Sequence, residues 1–268
     1  MTVDYDETIR LTRLGDILVV TLNDPATLNA CGPRMAQALS QVLAAIGAGE
    51  LSARCLVITG EGRGFCSGAN LQTGTLGVTS EGGEIDPGAL LESLYNPLVI
   101  ALRDLPIPVV AAVNGPAAGM GCSLALLADL IVAGESAYFV QAFRHIGLVP
   151  DGGASYLLPR LVGKARAMEM ALLGEKISAA QALDWGLINR VAPDAALMPT
   201  ALALAATLAS GPAAMGLIRR ALWAGMDLDL TSALAHERIA QRRAGATADL
   251  REGLAAFLAK RAAVFRGI

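Results

Sequence analysis

Histidine is scarce in this chain of 268 residues: only His145 and His236 are present, which leaves little material for a Ser-His-Asp triad or a histidine-bearing zinc site. The four cysteines, Cys31, Cys55, Cys66 and Cys122, form no C-x-x-C pair and sit at no zinc spacing. They read as reduced core thiols of a cytoplasmic protein, with no metal site expected. Aromatic side chains make up 4% of the sequence, too few for a β-sandwich built on aromatic and β-branched strands. Charged residues reach only 17%, with 21 Lys and Arg against 24 Asp and Glu. That net charge of -3 offers no basic excess to neutralise phosphates, so a nucleic-acid partner is not expected.

What is present is apolar material, 54% of the chain, together with 29 glycines, a composition that suits a compact α/β or helical protein with a large core. Two stretches of more than twenty residues, 105–128 and 195–218, carry no charged side chain. The first is broken by Pro106, Pro108, Pro116 and three glycines, and the second by Gly211-Pro212, so both read as buried core and no membrane span is expected. The first ten residues contain Asp4, Asp6 and Glu7 and no apolar h-region, which is not the pattern of a signal peptide.

Strands are predicted at 17–22, 55–59, 109–113 and 130–133. The middle two are almost continuously apolar, as strands covered on both faces are. The strand at 55–59 runs into Gly60, Gly62, Gly64 and Gly68, and that at 109–113 into Gly115, Gly119 and Gly121 with a helix at 122–128. This is a ββα repeat at a separation of about fifty residues. Residues 73–88, with Glu81, Glu84 and Asp86, read as a surface loop. Helices are predicted at 33–46, 164–172, 179–185, 195–210, 212–223, 230–243 and 250–260. The one at 179–185 opens with a Ser178/Gln181 capping box and stops at Gly186. An α/β body, 1–194, is thus followed by an all-helical region, 195–268.

Glycines that end a strand before a helix present backbone N–H groups to an anion or oxyanion; equally, they can serve only to turn tightly. The dinucleotide pattern G-x-G-x-x-G fails, because Ser67 and Leu124 stand where the third glycine belongs, and no Gly-Lys-Ser/Thr of a P-loop follows either turn. The run Gly64-Phe65-Cys66-Ser67-Gly68 places its serine one residue too late for a nucleophile elbow. His236 reads as a solvated helix residue. A third motif, Gly147-Leu148-Val149-Pro150-Asp151-Gly152-Gly153, sets one carboxylate in apolar surroundings beside two glycines. Asp151 can either cap a helix beginning near Ala154 or, with a raised pKa, move protons.

Taken together, Leu28-Asn29-Ala30, the run from Thr59-Gly60 to Gly68-Ala69-Asn70-Leu71, the run from Asn114-Gly115 to Gly121-Cys122-Ser123, and the Asp151 motif resemble the crotonase, or enoyl-CoA hydratase/isomerase, superfamily. The resemblance extends to Arg251-Glu252-Gly253 and Phe257-Leu258 near the C-terminus and covers essentially the whole chain. It implies an α/β spiral of ββα units with a C-terminal helical oligomerisation region, assembled as a homotrimer or hexamer. It further implies an acyl-CoA thioester substrate and no cofactor beyond the coenzyme A that the substrate carries. The amides of Ala69 and Met120 would form the oxyanion hole, and Leu28, Ser67, Gly68, Asn70, Leu71, Gly119, Ser123 and Phe143 would border the substrate.

Where family hydratases carry two glutamates, this chain has Ser123 and Phe143, and an aspartate usual after the oxyanion alanine is Asn70. The Asp151 motif is most similar to the branch that contains 1,2-epoxyphenylacetyl-CoA isomerase and Δ3,Δ2-enoyl-CoA isomerases, in which the aspartate moves a proton. The expectation is therefore an isomerase using Asp151. The alternatives are a hydratase with a non-standard base, a dehalogenase-like nucleophilic aspartate, and a catalytically impaired acyl-CoA-binding protein.

Overall fold

The computed structural model describes residues 2–70 and 86–268. The chain opens with a three-stranded antiparallel run, β1 (Thr2–Asp6), β2 (Ile9–Leu14) and β3 (Ile17–Leu22). Its first turn is fastened by the Asp6 carboxylate, which accepts from the amides of Thr8 at 2.7 Å and Ile9 at 2.8 Å. Then follow α1 (Pro33–Gly47), β4 (Cys55–Gly60), a short α2 (Pro87–Leu90), a π-helical turn (Leu91–Tyr95) and α3 (Asn96–Arg103). The second glycine-rich unit is β5 (Val109–Val113), β6 (Pro116–Ala118) and α4 (Met120–Leu126), and the third is β7 (Leu130–Gly134) and β8 (Tyr138–Val140). After a 3-10 turn (Ala142–Ile146) come α5 (Ala154–Leu173), β9 (Ile177–Ser178), α6 (Ala179–Asp184) and β10 (Arg190–Ala192). Helices α7 (Leu197–Ala209), α8 (Met215–Gly225), α9 (Leu230–Gly245) and α10 (Ala248–Leu258) complete the chain.

Seven strands form one sheet in the order β1-β2-β3-β4-β5-β7-β10, parallel from β3 onward, and β6-β8-β9 form a second. Strand β6 follows β5, and β8 follows β7, each pair dividing itself between the two sheets. Cys66, after β4, contributes a single parallel bridge to Ala117 of β6. The repeat read from the glycine turns is therefore a spiral in which each unit feeds both sheets.

The unbroken apolar character of β4 and β5 follows from having a core on each face. Leu56, Ile58, Val109, Ala111 and Val113 point into the larger core, which includes α1, while Cys55, Val57, Val110 and Ala112 point into a second core closed by Ala201, Ala205 and Ala209 of α7. Small alanines every four residues let α7 lie close against the strands. Although α7 falls in the 195–268 helical region, it is thus a layer of the sheet, and only α8, α9 and α10 lie beyond it. The uncharged stretches are each divided among several elements, 105–128 into β5, β6 and α4 and 195–218 into α7 and the start of α8, and among the described residues no helix is long and apolar enough to cross a membrane.

Ser178 caps α6 by accepting from the Gln181 amide, as its capping box predicts, and Gly186 follows in the left-handed region at φ +74°. Helix α5 begins ten residues before the predicted 164–172 segment. Gly163, at φ +75°, ψ +164°, breaks it internally, so the predicted segment is its second half.

Helix α8 is bound to the sheet by one buried cation. The Arg219 side chain donates to Asp129 Oδ2 at 2.6 Å and to the main-chain carbonyls of Leu102 at 2.8 Å, Leu105 at 2.9 Å and Arg103. Asp129 also accepts from the Trp223 indole at 3.3 Å and from the Val109 amide at the start of β5 at 2.8 Å. Removing the cation leaves the Asp129 carboxylate with only the neutral Val109 and Trp223 donors and leaves three carbonyls without their donor, so Arg219→Met is expected to destabilise folding by about 3 kcal/mol, read from urea unfolding midpoints. An unchanged midpoint would show that this clasp is dispensable.

Candidate active site

The two glycine-rich turns touch main chain to main chain. The amides of Phe65 and Cys66 both donate to Pro116 O, at 3.1 and 3.0 Å, and Ala118 N donates to Cys66 O at 2.9 Å. A Cβ on Gly121 would lie 2.2 Å from Cys66 O, so no side chain fits there. Beside this contact Gly68 adopts φ +102°, a conformation L side chains rarely take. Its missing Cβ would stand 3.8 Å from the Met120 nitrogen, which places the 68–69 peptide next to the start of α4. Among the described residues neither the Ala69 nor the Met120 amide donates to a protein acceptor. Met120 is the first residue of α4, where intrahelical partners are lacking. Two free N–H groups therefore sit on adjoining turns.

Both turns open on a cavity of about 190 Å³, whose wall also includes Leu90, Leu91, Tyr95, Phe143, Leu148 and Asp151. Asp151 is the single carboxylate among the described lining residues. Its side chain does not cap α5. The residue in the cap position is Gly153 (φ +85°), while the Asp151 main-chain carbonyl accepts from Ala154 N at 3.0 Å and from Ser123 Oγ at 2.8 Å. Freed from capping, the carboxylate has an oxygen, Oδ1, that is buried and has no hydrogen-bond partner. Burial in these apolar surroundings pushes its pKa up to about 6. The nearby thiols are no rivals as nucleophiles, because burial pushes Cys66 up to about 11 and Cys31 well above its ordinary value.

Of the residues the sequence singles out, Ser67, Gly68, Ala69, Gly119, Met120, Phe143 and Asp151 all line this cavity. Phe143 packs its ring beneath Gly119, where an added Cβ would meet it at 3.5 Å. The others are placed differently. Ser123 is fully buried, its hydroxyl fixing the Asp151 main chain, and it lies behind the wall. Leu28, left-handed at φ +56°, packs against Gly64 and accepts from Ser67 N at 3.0 Å through its carbonyl. Asn70 stands beside Gly32 and does not line the cavity, and Leu71 lies outside the described residues. His145, on the rim, has its Nε2 3.0 Å from Gly174 O. Leu91 and Tyr95 line the cavity without belonging to any of the motifs, and the one sign of them in the residues is the helical spacing of Leu91, Tyr95, Leu98 and Leu102, which marks a buried face.

A family profile described as enoyl-CoA hydratase/isomerase matches residues 12–267. The chain belongs to the enoyl-CoA hydratase/isomerase family. It is 46% identical over 252 residues to 1,2-epoxyphenylacetyl-CoA isomerase of Escherichia coli K12, covering 94% of this chain and 95% of that one. It is 38% identical over 258 residues to 2,3-dehydroadipyl-CoA hydratase of the same organism, covering 96% and 98%. The crystal structure of an enoyl-CoA hydratase from Bacillus anthracis matches with a TM-score of 0.89 at 31% identity, over 97% of this chain and all of that one. The crotonase fold is thereby established, and the protein is an acyl-CoA enzyme of the hydratase/isomerase family.

An ionisable group whose folded pKa is raised weakens the fold once pH exceeds its unfolded value. Between the ordinary aspartate value of 3.8 and about 6 the native Asp151 holds a proton that the unfolded chain has lost, so stability falls as pH rises through that window and stays lower above it. Asp151→Asn removes the burden and should raise neutral-pH stability by on the order of 1–3 kcal/mol while leaving stability at pH 4 nearly unchanged. Thermal melts at the two pH values check this, and equal shifts at both would refute the buried-charge account.

Proposed function

We propose that the protein is an acyl-CoA double-bond isomerase in which Asp151 moves the proton and the Ala69 and Met120 amides hold the thioester oxygen. The observation that carries this reading is the half-buried Asp151 carboxylate, with one buried and unpartnered oxygen, facing a cavity whose described lining holds no second carboxylate. With a 3-enoyl thioester, ionised Asp151 takes a Cα proton, and the electron pair moves through the carbonyl to give a dienolate whose oxygen accepts from the two free amides. The protonated Asp151 then returns its proton to Cγ, and the double bond ends between Cα and Cβ. One group suffices, because the proton leaves and returns on the same carboxyl.

Hydration asks more: one group to activate water and another to protonate Cα. The positions where family hydratases carry glutamates are held here by Ser123, buried in α4, and by the Phe143 ring. A pKa of about 6 leaves Asp151 mostly ionised at neutral pH, and its conjugate acid is strong enough to reprotonate a dienolate. The thioester supplies the acidity at Cα, so the reaction calls on no resident cofactor. The 1,2-epoxyphenylacetyl-CoA isomerase relative supports an isomerisation on this scaffold, and the 2,3-dehydroadipyl-CoA hydratase relative makes water addition the reading to test against it.

Turnover of 3-enoyl-CoA to the conjugated 2-enoyl-CoA should appear as a gain in ultraviolet absorbance, and Asp151→Asn should lower kcat by about 10³-fold. The wild-type kcat/KM should fall as pH drops below about 6, since the base must be ionised. A variant with full turnover, or rapid hydration of crotonyl-CoA by the wild-type protein, would overturn the assignment. We further propose that the C-terminal helices mediate self-association, as homotrimer or hexamer. Phe257 is 81% and Leu258 80% exposed on α10, an apolar surface that water does not favour. Phe257→Asp is expected to shift the sedimentation coefficient toward that of a single chain, and an unchanged coefficient would place the interface elsewhere.

A further inference from the structure

We infer that Tyr95 is a positioning residue that fixes the plane of the Gly68–Ala69 peptide, and with it the direction of the Ala69 N–H, through the Cys31 main chain. The inference rests on the proposed role of Ala69 as an oxyanion donor and adds to it a second residue of the cavity lining.

A trans peptide is planar, with its carbonyl and N–H pointing in opposite directions. Whatever holds the Gly68 oxygen therefore aims the Ala69 hydrogen. Gly68, at φ +102°, has no side chain to restrain this unit, so the restraint must come from outside. It comes from Cys31 N, which donates to Gly68 O at 2.7 Å.

Cys31 follows two left-handed residues, Leu28 at φ +56° and Asn29 at φ +58°. The Asn29 side chain fastens its own end of the segment by donating to Gly64 O at 2.7 Å and Glu61 O at 3.0 Å and accepting from Asp24 N at 2.8 Å. At the Cys31 end the matching restraint is the Tyr95 hydroxyl, which donates to Cys31 O at 2.6 Å in a buried contact. Tyr95 comes from the π-helical turn between α2 and α3, and such turns are frequent at functional sites. The residue is 4% exposed. Burial, reinforced by Cys31 and Asp151 nearby, pushes its phenol well above the ordinary range, so it stays a proton donor wherever Asp151 is ionised. A carbonyl that accepts a hydrogen bond also makes its own peptide N–H a better donor, so the bond to Gly68 O strengthens the amide as well as aiming it.

The probe is cinnamoyl-CoA, whose absorbance moves to longer wavelength as its thioester carbonyl is polarised. The wild-type protein is expected to red-shift the bound probe. Tyr95→Phe should lose about half of that shift and about tenfold in kcat on 3-enoyl-CoA, with KM within about twofold, because the donor's aim is lost and not the binding surface. Tyr95→Met, which lacks the hydroxyl but packs differently, should reproduce the loss and serves if Y95F does not fold. Asp151→Asn should keep the whole red shift while losing turnover, which separates the two proposals. A Tyr95→Phe protein with an undiminished shift would overturn the positioning role, whatever its turnover. Absence of any shift in the wild-type protein would overturn the oxyanion reading itself, and a catalytically active Asp151→Asn would overturn the proton-transfer reading while leaving Tyr95 to be judged on the shift alone.

Discussion

The rest of the structure depends on one constraint: two loops must approach so closely that their main chains touch. A Cβ on Gly115 would lie 2.1 Å from Arg63 O, and one on Gly121 would lie 2.2 Å from Cys66 O. Backbones come this near only if the strands that carry them are adjacent and in register. Strands β4 and β5 are both, pairing in parallel from Leu56 with Val109 to Thr59 with Ala112. Parallel strands of this kind need cover on both faces, which is why α1 packs on one side and the alanine stripe of α7 on the other. The side chains of Asn29 and Asn114 then pin the loop between them, both donating to Gly64 O. Two amides left without partners at the end of this arrangement follow from the backbone path, and no side chain has to supply them.

The same economy of polar groups sets the chemistry. A cavity walled by leucines, Tyr95, Phe143 and glycine turns gives an incoming carboxylate little solvation, so Asp151 is held at a pKa near 6 by its surroundings and without a charged neighbour as cause. Its position is imposed by the main chain. Gly152 and Gly153, both left-handed, bend the backbone, and Ser123 donates to the Asp151 carbonyl, so the side chain is left facing the cavity. Burying an ionisable group this way opposes folding, and clasps such as Arg219 with Asp129 stabilise the scaffold elsewhere.

Much of this was legible in the residues, and the reasons are physical. The apolar runs of β4 and β5 predict strands covered on both faces, and the glycines after them predict the turns. Asp151 stood between capping and proton transfer because the sequence does not reveal that Gly153 takes the cap position. The β1–β2 hairpin hid behind the charges interspersed in its sequence, Asp4, Asp6, Glu7, Arg10 and Arg13, and the first half of α5 hid behind Pro159 and Gly163, which normally end a helix. For Tyr95 the helical spacing signals a buried face and nothing of a site. Its hydroxyl bonds the main chain of Cys31, 64 residues away in sequence, a pairing that no local pattern encodes.

Ser123 shows why a two-glutamate arrangement cannot simply be restored on this backbone. In family hydratases that position bears an acid-base carboxylate, whereas here the side chain is fully buried and its hydroxyl bridges Gly119 O and Asp151 O at 3.3 and 2.8 Å. A Cβ on Gly152 would already stand 2.7 Å from Ser123 Cβ and 2.5 Å from Met120 Sδ. A glutamate in place of Ser123 would drive three further heavy atoms and a charge into that contact, and would remove the donor that sets the Asp151 main chain. The turn that presents Asp151 and the helix position that could present a second carboxylate therefore compete for the same space. The packing that crowds out a carboxylate at position 123 is also what holds the Asp151 main chain in place.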